Sequence, residues 1–174
     1  LPHLRVCTKI LMEWFKGVFA MEIRRAEERD MPAIMELLTQ VNLVHHKGRP
    51  DLFNIGTKYT TEELRDLIHN DRKPIFVFDD EGTVRGYAFC VFQQHVNDNI
   101  LTDIKTLYID DLCVDENCRG KHVGRRLYDY VLQFAKEQGC YNVTLNVWSC
   151  NESAMGFYEA CGLKPQKVGM EVIL

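Results

Sequence analysis

The stretch YIDDLCVDENCRGKHVGRRLYDYV, Tyr108 to Val131, decides how the rest of the chain is read. Its opening YIDDLCV has the character of a half-buried strand. Its close, where Leu127, Val131, Phe134 and Ala135 recur at helical spacing, is an amphipathic helix stopped by Gly139. Between the two a turn gathers Arg119, Gly120, Lys121, His122, Val123, Gly124, Arg125 and Arg126. That placement leaves the backbone N–H groups of residues 120–124 at a helix N-terminus, where donors lack intrahelical partners and the partial charge is positive. Such an end binds phosphate or carboxylate; glycines let the backbone come close, and the cations add full charge. Cations in a first helical turn oppose the macrodipole, so they are mildly destabilising unless an anion is bound. A diphosphate-bearing ligand fits this turn; the plainer alternative is a solvated basic turn.

Upstream, MEIRRAEERD begins a strand at Met21 and leads to a helix capped by Asp30, with Pro32 in its first turn and Ile34, Leu37, Leu38 and Val41 as its buried stripe. HHKGRPDLFNIGTKY, which contains His45 and His46, reads as a polar loop. Thr60 with Glu63 forms a capping box for a second helix. Residues 74–80, 84–96 and 107–114 read as consecutive antiparallel strands joined by hairpins. After the central helix, NVTLNVW (142–148) is a buried strand in which Trp148 is expected in the core. Asn151 opens a short helix through ESAMGFYEAC that ends at Gly162, and a final strand or strand pair closes the chain to Leu174. The order β-α-α-β-β-β-α-β-α-β predicts an α/β (α+β layered) fold: a mixed, mostly antiparallel sheet flanked by helices.

Composition bounds the function. The 174 residues suit one domain, and 46% apolar with 26% charged residues is ordinary for a globular chain. A net charge of −4 argues against nucleic acid or an anionic membrane surface as partner. Lys9, Glu13 and Lys16 interrupt the apolar first twenty residues, which are read as an N-terminal extension outside the fold. Without them, residues 21–174 hold 18 basic against 24 acidic side chains, so the acidity belongs to the domain. No run is long enough to span a bilayer. Seven cysteines, at 7, 90, 113, 118, 140, 150 and 161, contain no CxxC pair and point to a reducing cytoplasm; no cluster has metal-ligand spacing, so no metal is expected. Cys118 adjoins the positive helix end, but nothing indicates covalent chemistry.

The turn and the later NESAMGFYEACGLKP together resemble the GNAT superfamily of acetyl-CoA-dependent N-acetyltransferases. The family's turn signature is Q/R-x-x-G-x-G/A, of which Arg119 and Gly124 fill the ends. Its later signature N-x-x-A-x-x-F-Y is filled by Asn151, Ala154, Phe157 and Tyr158. His122 stands where the family has its first turn glycine. If residue 122 lies in the helix's first turn its dihedrals are ordinary, and the imidazole either points away from the pyrophosphate or donates to it.

The resemblance implies acetyl-CoA as co-substrate and a small-molecule or peptide amine as acceptor, attacking the thioester directly. It places Arg119, Gly120, Lys121, His122, Val123, Gly124 and Arg125 at the pyrophosphate. It places the backbone of Leu112, Cys113 and Val114, with Asn151, along the pantetheine, and Tyr158 beside the sulfur as cofactor contact and general acid. For a base it points to Asp110, matching a position from which some family members take the amine's proton. Asp110 and Asp111 occupy successive strand positions, so alternation puts one of them on the ligand face. Either also suits binding a cationic amine. The loop holding His45 and His46 lies where acceptor pockets are commonly built. Dimerisation through the late strands fits the fold class. The competing reading is a non-catalytic acyl-CoA-binding module of the same fold. A nucleotide-binding loop is disfavoured because the glycine turn lacks P-loop spacing and its Ser/Thr.

Overall fold

A computed structural model of the chain describes residues 21–174. The expected N-terminal extension, with Cys7, lies outside the described residues. Among those residues the elements are β1 (Glu22–Arg25), α1 (Met31–Gly48), α2 (Thr61–Ile68), β2 (Ile75–Asp80), β3 (Thr83–Gln93), β4 (Thr106–Val114), α3 (Val123–Glu137), β5 (Asn142–Leu145) and α4 (Glu152–Ala160). The five strands form one sheet in sequence order; β1 to β4 pair antiparallel and β5 runs parallel to β4.

The sheet is covered on both faces, which explains why β2 is apolar almost throughout. Ile75, Val77, Tyr87 and Phe89 pack with Ile34, Leu38 and Leu64 of α1 and α2. Phe76, Ala88, Leu107 and Ile109 pack with Tyr128, Val131 and Ala135 of α3 on the other face. Each large side chain so buried contributes about 1.5–3 kcal/mol. Glu81 (φ 55°) and Gly82 (φ 85°) make the two-residue turn between β2 and β3, the left-handed pair whose twist suits a tight hairpin.

Several expectations change in the folded chain. Asp30 does not cap α1 through its side chain; Arg24 takes that carboxylate at 2.7 and 2.9 Å while also binding Asp79 at 2.7 Å. Burial opposes the Asp30 charge, but Arg24 and the Glu27 N–H hold its carboxyl below the usual range. Thr60 and Glu63 do form the reciprocal capping box of α2. α1 continues through His45, His46 and Lys47 to Gly48, so the histidines are helical and the loop begins at Arg49. β5 stops at Leu145, and Trp148 has left the sheet: it is 43% exposed and edge-on to Phe53. The expected last strand is not formed. Residues 163–174 have no helix or strand, with Val168, Met170 and Ile173 exposed. The tail is tied instead by a two-pronged Arg49–Glu171 ion pair at 2.7 and 2.9 Å.

Candidate active site

The short length of β5 creates the site. Its pairing with β4 covers Thr106 to Ile109 only, so from Asp110 to Val114 the β5-facing edge of β4 is unpaired by strand. The two strands part there, and α4 and the start of α3 flank the opening. Leu112 packs towards α3, whereas Cys113 is buried against α1. Gln40 of α1 donates to the Val114 carbonyl at 3.0 Å and accepts from the Glu116 N–H at 3.0 Å, clamping the end of the strand. Sequence gave no sign of Gln40, whose partners lie more than seventy positions away. Burial raises the Cys113 thiol to about 12, which keeps it protonated and unfit as a nucleophile.

The basic turn lies at the head of α3 as expected, but its geometry differs at one residue. His122 is the N-cap position, left-handed at φ 60° and ψ 13°, and no side chain caps the helix. The condition that would have made its dihedrals ordinary is not met: this position needs the conformation glycine adopts most easily, and histidine bears a cost of about 1–2 kcal/mol there. Gly120 is left-handed as well, at φ 75°. Gly124 lies inside α3 where β4 and α4 meet it: a Cβ there would make ordinary contacts with Val114 at 3.4 Å and Phe157 at 3.5 Å, and a longer side chain would press on both. Arg125 is paired with Asp129 at 2.9 Å, and Arg126 lies over the Phe78 ring while donating to the Met21 carbonyl. Arg119 and Lys121 are exposed and have no ion pair among the described residues. An uncapped helix N-terminus with two unpaired cations beside an open strand edge suits a pyrophosphate followed by an extended arm.

Asn151 caps α4, its Oδ1 accepting from the Ala154 N–H at 3.1 Å. Two turns on, Tyr158 lies half-buried against Phe157. Burial raises its hydroxyl pKa, and the Asp111 charge pushes the same way, so it remains a proton donor.

The two aspartates break the alternation rule. In the β3–β4 register Phe89 faces Asp111 and Cys90 faces Ile109, so Asp110 is the extra residue of a β-bulge. The bulge turns both carboxylates to the α1–α2 side. Asp110 accepts from Lys58 Nζ at 2.8 Å and from the Tyr59 hydroxyl at 2.7 Å. Asp111 accepts from the Tyr87 hydroxyl at 3.1 Å. Burial drives the Asp111 carboxyl up to about 6, opposed by the Lys58 charge and the Tyr87 bond and reinforced by Asp110. Lys58, Tyr59 and Tyr87 were not singled out by sequence; they reach the site through the loop before α2 and through β3. Farther along the same side, the half-buried His45 lies 5.1 Å from Phe53, and burial followed by the Lys58 charge lowers its pKa.

This splayed sheet with an anion-ready helix end defines an acyl-CoA transferase-like class of protein. The profile of the Acetyltransferase (GNAT) family matches residues 33–163, and the chain belongs to that family. Among curated relatives, the glucosamine 6-phosphate N-acetyltransferase of Arabidopsis thaliana is 33% identical over 66 residues, which cover 38% of this chain and 42% of the relative. N-acetyltransferase 8B of Homo sapiens is 40% identical over 60 residues, 34% of this chain and 26% of the relative. The matched segments thus span less than half the length of these curated relatives. Among solved structures, the BH1408 protein of Bacillus halodurans, as a tetramutant, superposes with a TM-score of 0.85 at 31% identity, covering 88% of this chain and 100% of that one. The aminoglycoside acetyltransferase meta-AAC0020 from an uncultured soil sample, in complex with sisomicin, gives 0.67 at 22% identity over 88% and 96% of the two chains, a likeness of fold. No helix among the described residues is long and apolar enough to cross a membrane.

Proposed function

We propose that the chain transfers the acetyl group of acetyl-CoA to a primary amine of a small molecule or peptide by direct attack. The observation that carries the reading is the convergence at the open half of β4: Tyr158 on one side, Asp111 on the other, and the uncapped head of α3 beyond. The residues present fit the co-substrate. Backbone N–H groups of residues 120–125, with Arg119 and Lys121, would hold the pyrophosphate, and the edge at Leu112 and Cys113, with Asn151, the pantetheine. When bound, acetyl-CoA supplies the activated thioester carbonyl.

Asp111 is the proton acceptor in this reading. A carboxyl raised to about 6 is a better base near neutrality, and its polar partners are the Tyr87 hydroxyl and the Leu112 backbone N–H, with no cation bonded to it. Asp110 is already engaged by an ammonium and a phenol, which suits it to hold a cationic amine. The Tyr158 hydroxyl protonates the departing sulfur. Burial holds the Cys113 thiol protonated, so it does not compete with the amine for the thioester, and the amine attacks directly.

The test is thiol release from acetyl-CoA across a panel of amines. Glucosamine 6-phosphate heads the panel because curated relatives are named for acting on it. Release with at least one amine is the expected result. Tight acetyl-CoA binding with no release for any amine would favour the non-catalytic module instead.

A further inference from the structure

The acceptor side of the site already contains a primary amine. Lys58 Nζ donates to Asp110 Oδ2 at 2.8 Å and to the Asp110 carbonyl at 3.1 Å. The second bond reaches the backbone of the bulge residue, two positions before Leu112 on the edge assigned to the pantetheine. The neighbouring Tyr59 fixes the loop by its own 2.7 Å bond to the same carboxylate oxygen and by stacking on Phe89 at 5.5 Å. The Lys58 charge acts on Asp111, and the Asp111 charge acts on the Tyr158 hydroxyl, so Asp111 is the group that both amine and acid are near. With its side chain 40% exposed, Lys58 is held by one ion pair and is not locked in a core.

We propose that Lys58 is an internal acceptor, acetylated at Nζ by acetyl-CoA bound in its own site. The inference rests on the acetyltransferase reading above. The Lys58 ammonium gives one proton to the Asp111 carboxylate and through it to solvent. Its lone pair forms the C–N bond with the thioester carbonyl carbon as the C–S bond breaks. The sulfur takes the Tyr158 proton, and the nitrogen's second proton restores the tyrosine. The products are N-acetyl-Lys58, the free thiol of coenzyme A and one released proton. Acetylation removes the charge and with it the ion pair to Asp110, leaving that carboxylate with Tyr59 alone. Because amine and donor share one site, the reaction is unimolecular in the loaded protein.

The purified full chain is incubated with acetyl-CoA and no acceptor, and its peptides are weighed. The expected result is one acetyl group on the peptide containing Lys58, at a rate independent of protein concentration and slowed about 100-fold or more by Tyr158→Phe or Asp111→Asn. A second readout needs no acetyl-CoA: trace labelling with an amine-reactive reagent should modify Lys58 more slowly than exposed lysines such as Lys121, and faster in Asp110→Asn. Thiol release with an added amine but an unmodified Lys58 overturns the proposal and leaves the transferase reading standing. Equal acetylation in wild type and both variants also overturns it, as unassisted chemistry. Acetyl-CoA binding with neither Lys58 nor any added amine modified overturns both readings.

Discussion

The two sides of the cleft are built from different material. The proposed donor side, from Leu112 to Arg125, is mainly backbone: an unpaired strand edge, an uncapped helix end and a left-handed glycine at 120. The proposed acceptor side is mainly side chains: Lys58, Tyr59, Tyr87, Asp110 and Asp111, brought together by one bulge and one loop. Backbone geometry serves any ligand with the same phosphates and arm. Side-chain geometry is where one acceptor is distinguished from another.

The sharpest way to test this division is Tyr158→Phe, which touches chemistry and leaves the backbone cradle intact. It should lower kcat by about 100-fold or more, while acetyl-CoA affinity by calorimetry stays close to wild type. A comparable loss of affinity would show that the two sides are not separable.

Asp111→Asn comes next and has two readouts. With Asp111 as base, kcat/KM of the wild type should rise through an acidic limb near pH 6, and the variant should lose that limb along with most activity. The stability effect has the opposite sense. The folded carboxyl titrates near 6, above its ordinary value of 3.8, so the folded state holds a proton that the unfolded chain has lost. Stability therefore falls as pH rises from about 4 to about 6, and above that the variant should be more stable than wild type by up to about 3 kcal/mol. Thermal melts at pH 4 and pH 8 measure the difference; a variant no more stable at pH 8 than wild type would remove Asp111 as the buried charge.

Gly124→Leu attacks the donor side through packing. The side chain would press on Val114 and Phe157, costing about 1–3 kcal/mol of stability, and acetyl-CoA binding should weaken with it. The smallest effect is expected at His122. His122→Gly should gain up to about 1 kcal/mol by relieving the left-handed conformation. His122→Val, β-branched at the same position, should lose stability. If the imidazole contacts the pyrophosphate, acetyl-CoA binding to the glycine variant will weaken despite its stabler fold.

The comparison also explains what could be read from the chain. The strand-turn-helix of residues 108–131 and the Asn151-to-Tyr158 helix were legible because their signals are local: period, caps and glycine spacing. The Thr60–Glu63 box was legible for the same reason. The His45–His46 segment was misread as loop because polar residues end many helices, and only the fold shows α1 running on to Gly48. The last strand was expected from apolar residues alone, but pairing needs an accessible edge, and the tail is held by Arg49 elsewhere.

From sequence alone came the order of strands and helices, the basic turn at the head of α3 and the Asn151-capped helix that carries Tyr158, because each depends on neighbours within a few residues. Only the tertiary structure decided which aspartate is buried, which cation pairs with the other, and that residue 122 is left-handed. A bulge is a mismatch between two strands, and a desolvated carboxylate is made by elements tens of residues away. Local order fixes where the basic turn lies; long-range packing sets which carboxylate is buried and which is paired.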